Sequence, residues 1–210
     1  MSPAITRAQQ GEETRRNILR LAVDIASQRG LDALTIGDLA KEIGMSKSGL
    51  FAHFGSKEDL QIATIEAAEV MFGETIVLPA FEAAPGLARL ASLLEGYIRY
   101  LEDAVFSGGC FFSAVAAEFD DRPGRVRDRV IVSMRKWDDK IVSEIRHGIA
   151  AGEILDDVAP EQLAFELEAI APQANFNRRL LGDEQAFVRA RSAIRSRLLS
   201  VSTSKGKAIL

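Results

Sequence analysis

Apolar residues recur every three or four positions along most of the chain, and no stretch alternates apolar with polar at the period of two that a half-buried strand requires. The pattern predicts an all-α chain. Ile18, Leu21, Ala22, Ile25 and Ala26 make one stripe of a first helix, from near Glu12 to Arg29, with Glu12 and Glu13 in its first turn and Gly30 as its stop. Ile36, Leu39, Ala40 and Ile43 carry a helix of about two turns, which Thr35 can cap with Asp38 as an acidic variant of the capping box. Gly44 then stands where a left-handed backbone is needed. Ser46 caps a second short helix through Lys47, Ser48, Leu50 and Phe51, and Met45 can fold back as the hydrophobic plug of the turn. Ser56, three residues before Asp59, caps a further helix from Lys57 to about Ile76, which Pro79 and Pro85 interrupt.

The same periodicity continues. Leu87, Leu90, Leu94, Tyr97, Ile98 and Leu101 mark another helix, FSGGC breaks it, and CFFSAVAAEF is apolar on nearly every face and so belongs in a core. Val126, Val130, Met134, Trp137, Ile141 and Ile145 define a long helix ended by Gly152. Two closing helices are expected, from about Pro160 to Leu181 with Pro172 as a kink, and from about Glu184 to Val201. The stripe Phe187, Ala190, Ile194, Leu198 and Val201 faces either the chain's own core or a second subunit, and the tail STSKGKAIL is expected to fray.

The segment from Thr35 to Leu60 carries the chemistry. Ala40 is small enough for the second short helix to cross the first closely, and Leu50 supplies the apolar lock of a helix-turn-helix. What remains on that helix suits a DNA groove. Ser46, Ser48 and Lys47 can donate to phosphates or base edges, Gly49 lets the backbone approach the duplex, and Phe51 can meet a thymine methyl or a sugar. His53 follows the helix within reach of a phosphate, Thr35 stands at the start of the motif, and Lys57 lies beside free backbone N–H groups that can hold a phosphate. A plain helical hairpin explains a loose version of this pattern. It does not require cap, turn, lock and second cap all in register.

With GMSKSGLFAHFGSKEDL at its centre, the run from about Thr14 to Phe72 resembles the N-terminal domain of the TetR family of one-component transcriptional regulators. The resemblance rests on residues 44 to 47, Leu50-Phe51, His53-Phe54 and Ser56-Lys57-Glu58, roughly the first third of the chain. It implies a three-helix DNA-binding domain at residues 1–60, a linking helix from about 57 to 76, and a larger helical domain at 61–204 for ligand sensing and dimerisation. It further implies a homodimer joined through the two C-terminal helices, binding a quasi-palindromic operator in double-stranded DNA, and an effector cavity in the larger domain. Repression relieved by a small hydrophobic effector is the usual family outcome, with activation an alternative on the same fold. The family often carries Tyr where this chain has Phe51, so a hydroxyl-to-phosphate contact is missing and Lys47 and Lys57 are expected to carry more of the affinity.

Composition bounds the rest. With 210 residues, 47% hydrophobic and 27% charged, the chain can form a small and a larger globular domain. The net charge of −4 argues against a polyanionic partner only if charge were spread evenly, and Arg7, Arg15 and Arg16 can flank the lysines of the turn. No apolar leader or membrane-length run is present, and Cys110 is the single cysteine, so a cytoplasmic protein is expected. Cys110 reads as a buried thiol, His147 as a helix-end cation, and no residues have metal-ligand or cofactor-binding spacing. No nucleophile elbow or dinucleotide fingerprint supports an enzyme, and a purely protein-binding scaffold would leave the polar helix face without purpose. Phe111, Phe112, Val115, Phe119, Met134 and Trp137 are candidates to line the effector cavity, although core packing accounts for them equally.

Overall fold

A computed structural model describes residues 7–210 as helices joined by short turns, with no strand among them. The helices are α1 (Arg7–Arg29), α2 (Ile36–Glu42), α3 (Lys47–Phe54), α4 (Lys57–Phe72), α5 (Leu78–Ala80), α6 (Leu87–Glu102), α7 (Phe111–Phe119), α8 (Arg125–Ala150), α9 (Pro160–Glu168), α10 (Ile170–Leu180), α11 (Ala186–Val201) and α12 (Ser204–Lys207). A π-helical turn at Gly73–Val77 joins α4 to α5. The chain packs as two units, one running to Met71 and taking in Phe106–Ser133, the other formed by Phe72–Val105 and Met134–Leu210. These units do not coincide with the expected stretches 1–60 and 61–204. No helix among the described residues is long and apolar enough to cross a membrane.

In the first unit α1 starts earlier than its pattern suggests, so Glu12 and Glu13 fall in its second turn. Its buried face is Ile18, Ala22, Val23 and Ala26, while Leu21 and Ile25 are only half-buried. Leu31, Leu34, Leu39, Leu50, Phe54 and Leu60 are buried in the same unit. Gly30 takes φ +84° and ends the helix, its N–H donating to the Ala26 carbonyl at 3.0 Å.

Segment 106–133 is bound into this unit by polar contacts at the end of α1. Asp24 accepts the Ser107 N–H at 2.7 Å and the Ser27 hydroxyl accepts the Gly108 N–H at 2.9 Å. The Glu118 carboxylate accepts the N–H groups of Leu31 and Asp32 at 2.6 and 2.8 Å. Arg125 pairs with Glu58 and Asp59, and Arg129 with Glu69. The buried Phe111, Val115 and Phe119 of α7 bring apolar surface with them, and Cys110, also buried, caps the helix as its sulfur accepts the Ser113 N–H at 3.5 Å.

In the second unit α6 buries Leu87, Leu90, Leu94, Tyr97, Ile98 and Leu101, as the spacing predicts. Its N-terminus is held by two carboxylates, Glu144 accepting the Gly86 N–H and Glu153 the Leu87 N–H, both at 2.9 Å, where helix N–H groups lack internal partners. Phe72, Tyr97, Tyr100 and Trp137 meet edge-on, with Phe72 and Trp137 centroids 5.1 Å apart. The tail is not frayed. Thr203 caps α12, its N–H donates to the Glu153 carbonyl at 3.0 Å, and Lys205 reaches the Ala151 carbonyl at 2.7 Å.

Pro172 interrupts the closing pattern as expected, and the break falls at Ala169 because the proline ring displaces the carbonyl four residues earlier, that of Glu168. The stripe Phe187, Ala190, Ile194, Leu198 and Val201 is buried in the chain's own core. It therefore cannot be the surface awaiting a partner. The exposed apolar residues of these helices are Phe165, Phe176, Leu180, Leu181 and Val188.

Burial pushes the Glu168 carboxyl up to about 7, and the negative charge of Asp138 adds to the rise. A carboxyl that holds its proton more tightly folded than unfolded favours the folded state at low pH, and that advantage disappears as pH rises from the ordinary 4.5 to about 7. Glu168→Gln should abolish this fall in stability. The expected gain at pH 8 is on the order of 1–2 kcal/mol, allowing for the part of the side chain left in water, with no gain at pH 4, as read by chemical denaturation.

Candidate nucleic-acid interface

The helix-turn-helix forms as its caps and glycine predict. The Thr35 hydroxyl oxygen accepts the Asp38 N–H at 3.0 Å and donates to the Asp38 carboxylate at 2.6 Å, fixing the start of α2. Gly44 takes φ +68°, and the Met45 N–H returns to the Ala40 carbonyl at 2.9 Å, so the chain reverses within three residues. Ser46 then caps α3 by accepting the Gly49 N–H at 3.0 Å. Leu50 and Phe54 turn inward and leave the other face of α3 to solvent.

That outer face carries Ser46, Lys47, Ser48 and Phe51, all exposed, Phe51 to 52%. Lys47 makes no ion pair among the described residues. Gly49 has a more local constraint than expected, since a Cβ there would lie 3.0 Å from the Ser46 hydroxyl and press on the cap itself.

Arg15 and Lys57 are engaged within the protein. The Arg15 guanidinium stacks over Phe54 at 4.6 Å and donates to the His53 carbonyl at 3.3 Å, closing the C-terminal end of α3. It positions the helix from behind, and half-buried His53 is held at that end, its ring tilted against Phe54. Ser56 caps α4 through the Asp59 N–H at 3.0 Å, and Lys57 in the first turn pairs with Asp32 at 2.7 Å, Arg122 meeting the same carboxylate at 3.3 Å. Hydrogen bonding and charge from Lys57, with Arg122 adding to them, hold the Asp32 carboxyl below the usual carboxylate range. Arg16 is exposed, while the side chain of Arg7 lies outside the described residues.

Sequence spacing could not reveal Asp32, Glu118 or Arg122, because their partners lie from 25 to 90 positions away. Of the candidate effector residues, Phe111, Phe112, Val115 and Phe119 belong to the first unit, where the Phe111 and Phe112 rings meet edge-on 5.3 Å apart, and Met134 and Trp137 belong to the second. Met134 is 46% exposed and so departs from the stripe of α8. No cluster of three or more metal-ligating side chains occurs among the described residues.

Comparison with known proteins bears on both parts of the chain. Residues 18–64 match the family model described as bacterial regulatory proteins, tetR family, and residues 86–194 match the one described as tetracyclin repressor-like, C-terminal domain. The regulator AcrR of Shigella flexneri is 35% identical over 66 residues, so the chain matches only 31% of that protein's length. The transcriptional regulator AcuR of Cereibacter sphaeroides is 23% identical over 153 residues, 71% of this chain and 68% of that one. A TetR transcriptional regulator from Chloroflexus aurantiacus superposes with a TM-score of 0.84 at 25% identity, covering 92% of this chain and 98% of the other.

Proposed function

This chain belongs to the TetR family of bacterial transcriptional regulators, not to a family of enzymes, and on that premise we propose that it is a cytoplasmic, effector-released repressor. It binds a quasi-palindromic operator as a homodimer. The observation that carries this is the outer face of α3: a capped helix locked by Leu50 from behind, which offers Ser46, Lys47, Ser48 and Phe51 to solvent. Hydroxyl, ammonium and aromatic groups on a helix that fits a major groove serve phosphate positioning and base-edge contact.

The second subunit packs on Phe165, Phe176, Leu180, Leu181 and Val188, an apolar set of α9 to α11 and the loop between them that the chain leaves exposed. Two subunits then present their α3 helices about one turn of DNA apart. An effector bound in the larger helical part favours a subunit shape in which that spacing is wrong. Operator and effector must then weaken each other's binding by the same factor. A gel shift with the DNA upstream of the chain's own gene tests the reading, a discrete and salt-sensitive complex supporting it and the absence of one removing it.

Asp32 restrains the DNA contact by holding Lys57. Asp32→Asn should release the Lys57 ammonium to phosphate and tighten operator binding by roughly three- to tenfold at low salt, a gain that fades at high salt. Stability should change little, since exposed pairs of this kind contribute about 0–1 kcal/mol. Fluorescence anisotropy across a salt series reads both effects.

A further inference from the structure

Lys57 opens α4 in acidic company: Glu58 and Asp59 follow it in the first turn, and Asp32 accepts its ammonium at 2.7 Å. Left alone, those carboxylates would repel a phosphate backbone. The answering cations come from outside the helix-turn-helix, Arg122 in the turn after α7 and Arg125 at the start of α8. Arg122 meets the second oxygen of the Asp32 carboxylate at 3.3 Å, and Arg125 meets Glu58 at 2.8 Å and Asp59 at 3.3 Å. The segment is not simply basic, since Asp120 and Asp121 precede Arg122. What distinguishes its two arginines is where they pair.

The backbone beneath these pairs is fixed from both sides. Glu118 of α7 accepts the N–H groups of Leu31 and Asp32 at 2.6 and 2.8 Å, and the buried Gln61 of α4 donates to the Leu31 carbonyl at 3.0 Å. Asp32 is therefore held by the helix that starts at Lys57 and by the helix that leads to Arg122, and its two oxygens are divided between the two cations. When Lys57 leaves for a phosphate, Arg122 stays behind, so no lone carboxylate is stranded beside the DNA. We propose that Arg122 and Arg125 are positioning residues for DNA binding, which touch no phosphate and act by neutralising the carboxylates beside Lys57. The proposal rests on the reading of Lys57 as a phosphate contact. It gives the segment between α7 and α8 a part in affinity that the helix-turn-helix alone does not contain.

Anisotropy titrations of the full-length protein on labelled DNA from upstream of its own gene, at low and physiological salt, test this. Arg122→Gln is expected to weaken binding roughly three- to tenfold at low salt, a loss that fades as salt rises, because an exposed pair acts modestly and acts once in each subunit. Arg122→Lys, which keeps the charge, should stay within about twofold of the parent. So should Arg127→Gln, whose charge lies in the same segment but pairs with no carboxylate among the described residues. In the Asp32→Asn background Arg122→Gln should have no further effect, whereas Arg125→Gln should weaken binding with or without Asp32. Unchanged affinity in Arg122→Gln, an equal loss in Arg127→Gln, or a loss that persists in Asp32→Asn overturns the proposal, the last by marking Arg122 as a phosphate contact. If Asp32→Asn itself fails to tighten binding, the reading of Lys57 falls and the proposal with it; tightening in Asp32→Asn with silent arginine variants removes the role of the arginines alone.

Discussion

Gly108→Ala should destabilise the first unit by at least about 3 kcal/mol, the largest stability effect expected from a single methyl group in this chain. A Cβ at Gly108 would lie inside the backbone of Ser27 and Gln28, so no side-chain rotation can relieve the overlap. The loop would have to lift off α1, breaking the Ser107 N–H bond to Asp24 and the Gly108 N–H bond to Ser27. Segment 106–133 would lose its anchor on the helix that backs the DNA-binding motif. Gly11→Ala is the control within the same unit, because a Cβ there meets nothing within 4 Å and alanine favours a helix interior by about 1 kcal/mol. Urea denaturation should show the two variants moving in opposite directions; equal stability of Gly108→Ala and the parent would mean the loop does not sit on α1.

Lys47→Ala should weaken operator binding by roughly 30-fold without altering the fold. Each subunit loses about 1 kcal/mol of phosphate or base-edge contact, and the homodimer loses it twice. The slope of log affinity against log salt should flatten by about 2, one counterion released per lysine. Lys57→Ala should cost less, because its ammonium must first leave Asp32. Anisotropy titrations from low to physiological salt distinguish the two lysines; a Lys57 effect equal to that of Lys47 would show that the Asp32 pair exerts no restraint.

Much of the motif was legible from residues because its determinants are local. Thr35 with Asp38, Gly44, Ser46 with Gly49, and Ser56 with Asp59 each act within three or four positions, and their caps and φ values follow from side-chain chemistry alone. The buried set Leu39, Leu50, Phe54 and Leu60 followed from periodicity for the same reason. What escaped was set by long-range packing. Periodicity places Phe187 and Ile194 on one stripe but is silent on whether that stripe meets its own chain or another, and here it meets its own. CFFSAVAAEF is apolar enough for either unit, and contacts with residues some 87 positions earlier, Glu118 reaching the N–H groups of Leu31 and Asp32 among them, tie it to the first. The tail resembles a fraying end by composition, yet Thr203 and Lys205 find backbone carbonyls about 50 residues away.

The charge of −4 shows why totals mislead. The exposed part of α3 carries Lys47 and no acidic side chain, and three carboxylates near the motif are paired with cations, Asp32 with Lys57 and Arg122, Glu58 and Asp59 with Arg125. Local pairing, not net charge, decides what a polyanion meets. Removing Asp32 therefore shifts affinity at the interface.

The most direct test of α3 as the reading helix is enrichment of genomic DNA fragments by the full-length protein, followed by methylation interference on the enriched sequence. The expected result is a quasi-palindrome with two sensitive major-groove patches about one helical turn apart, both lost in Lys47→Ala. Enrichment of no sequence above bulk DNA, or an interference pattern unchanged by Lys47→Ala, would contradict it.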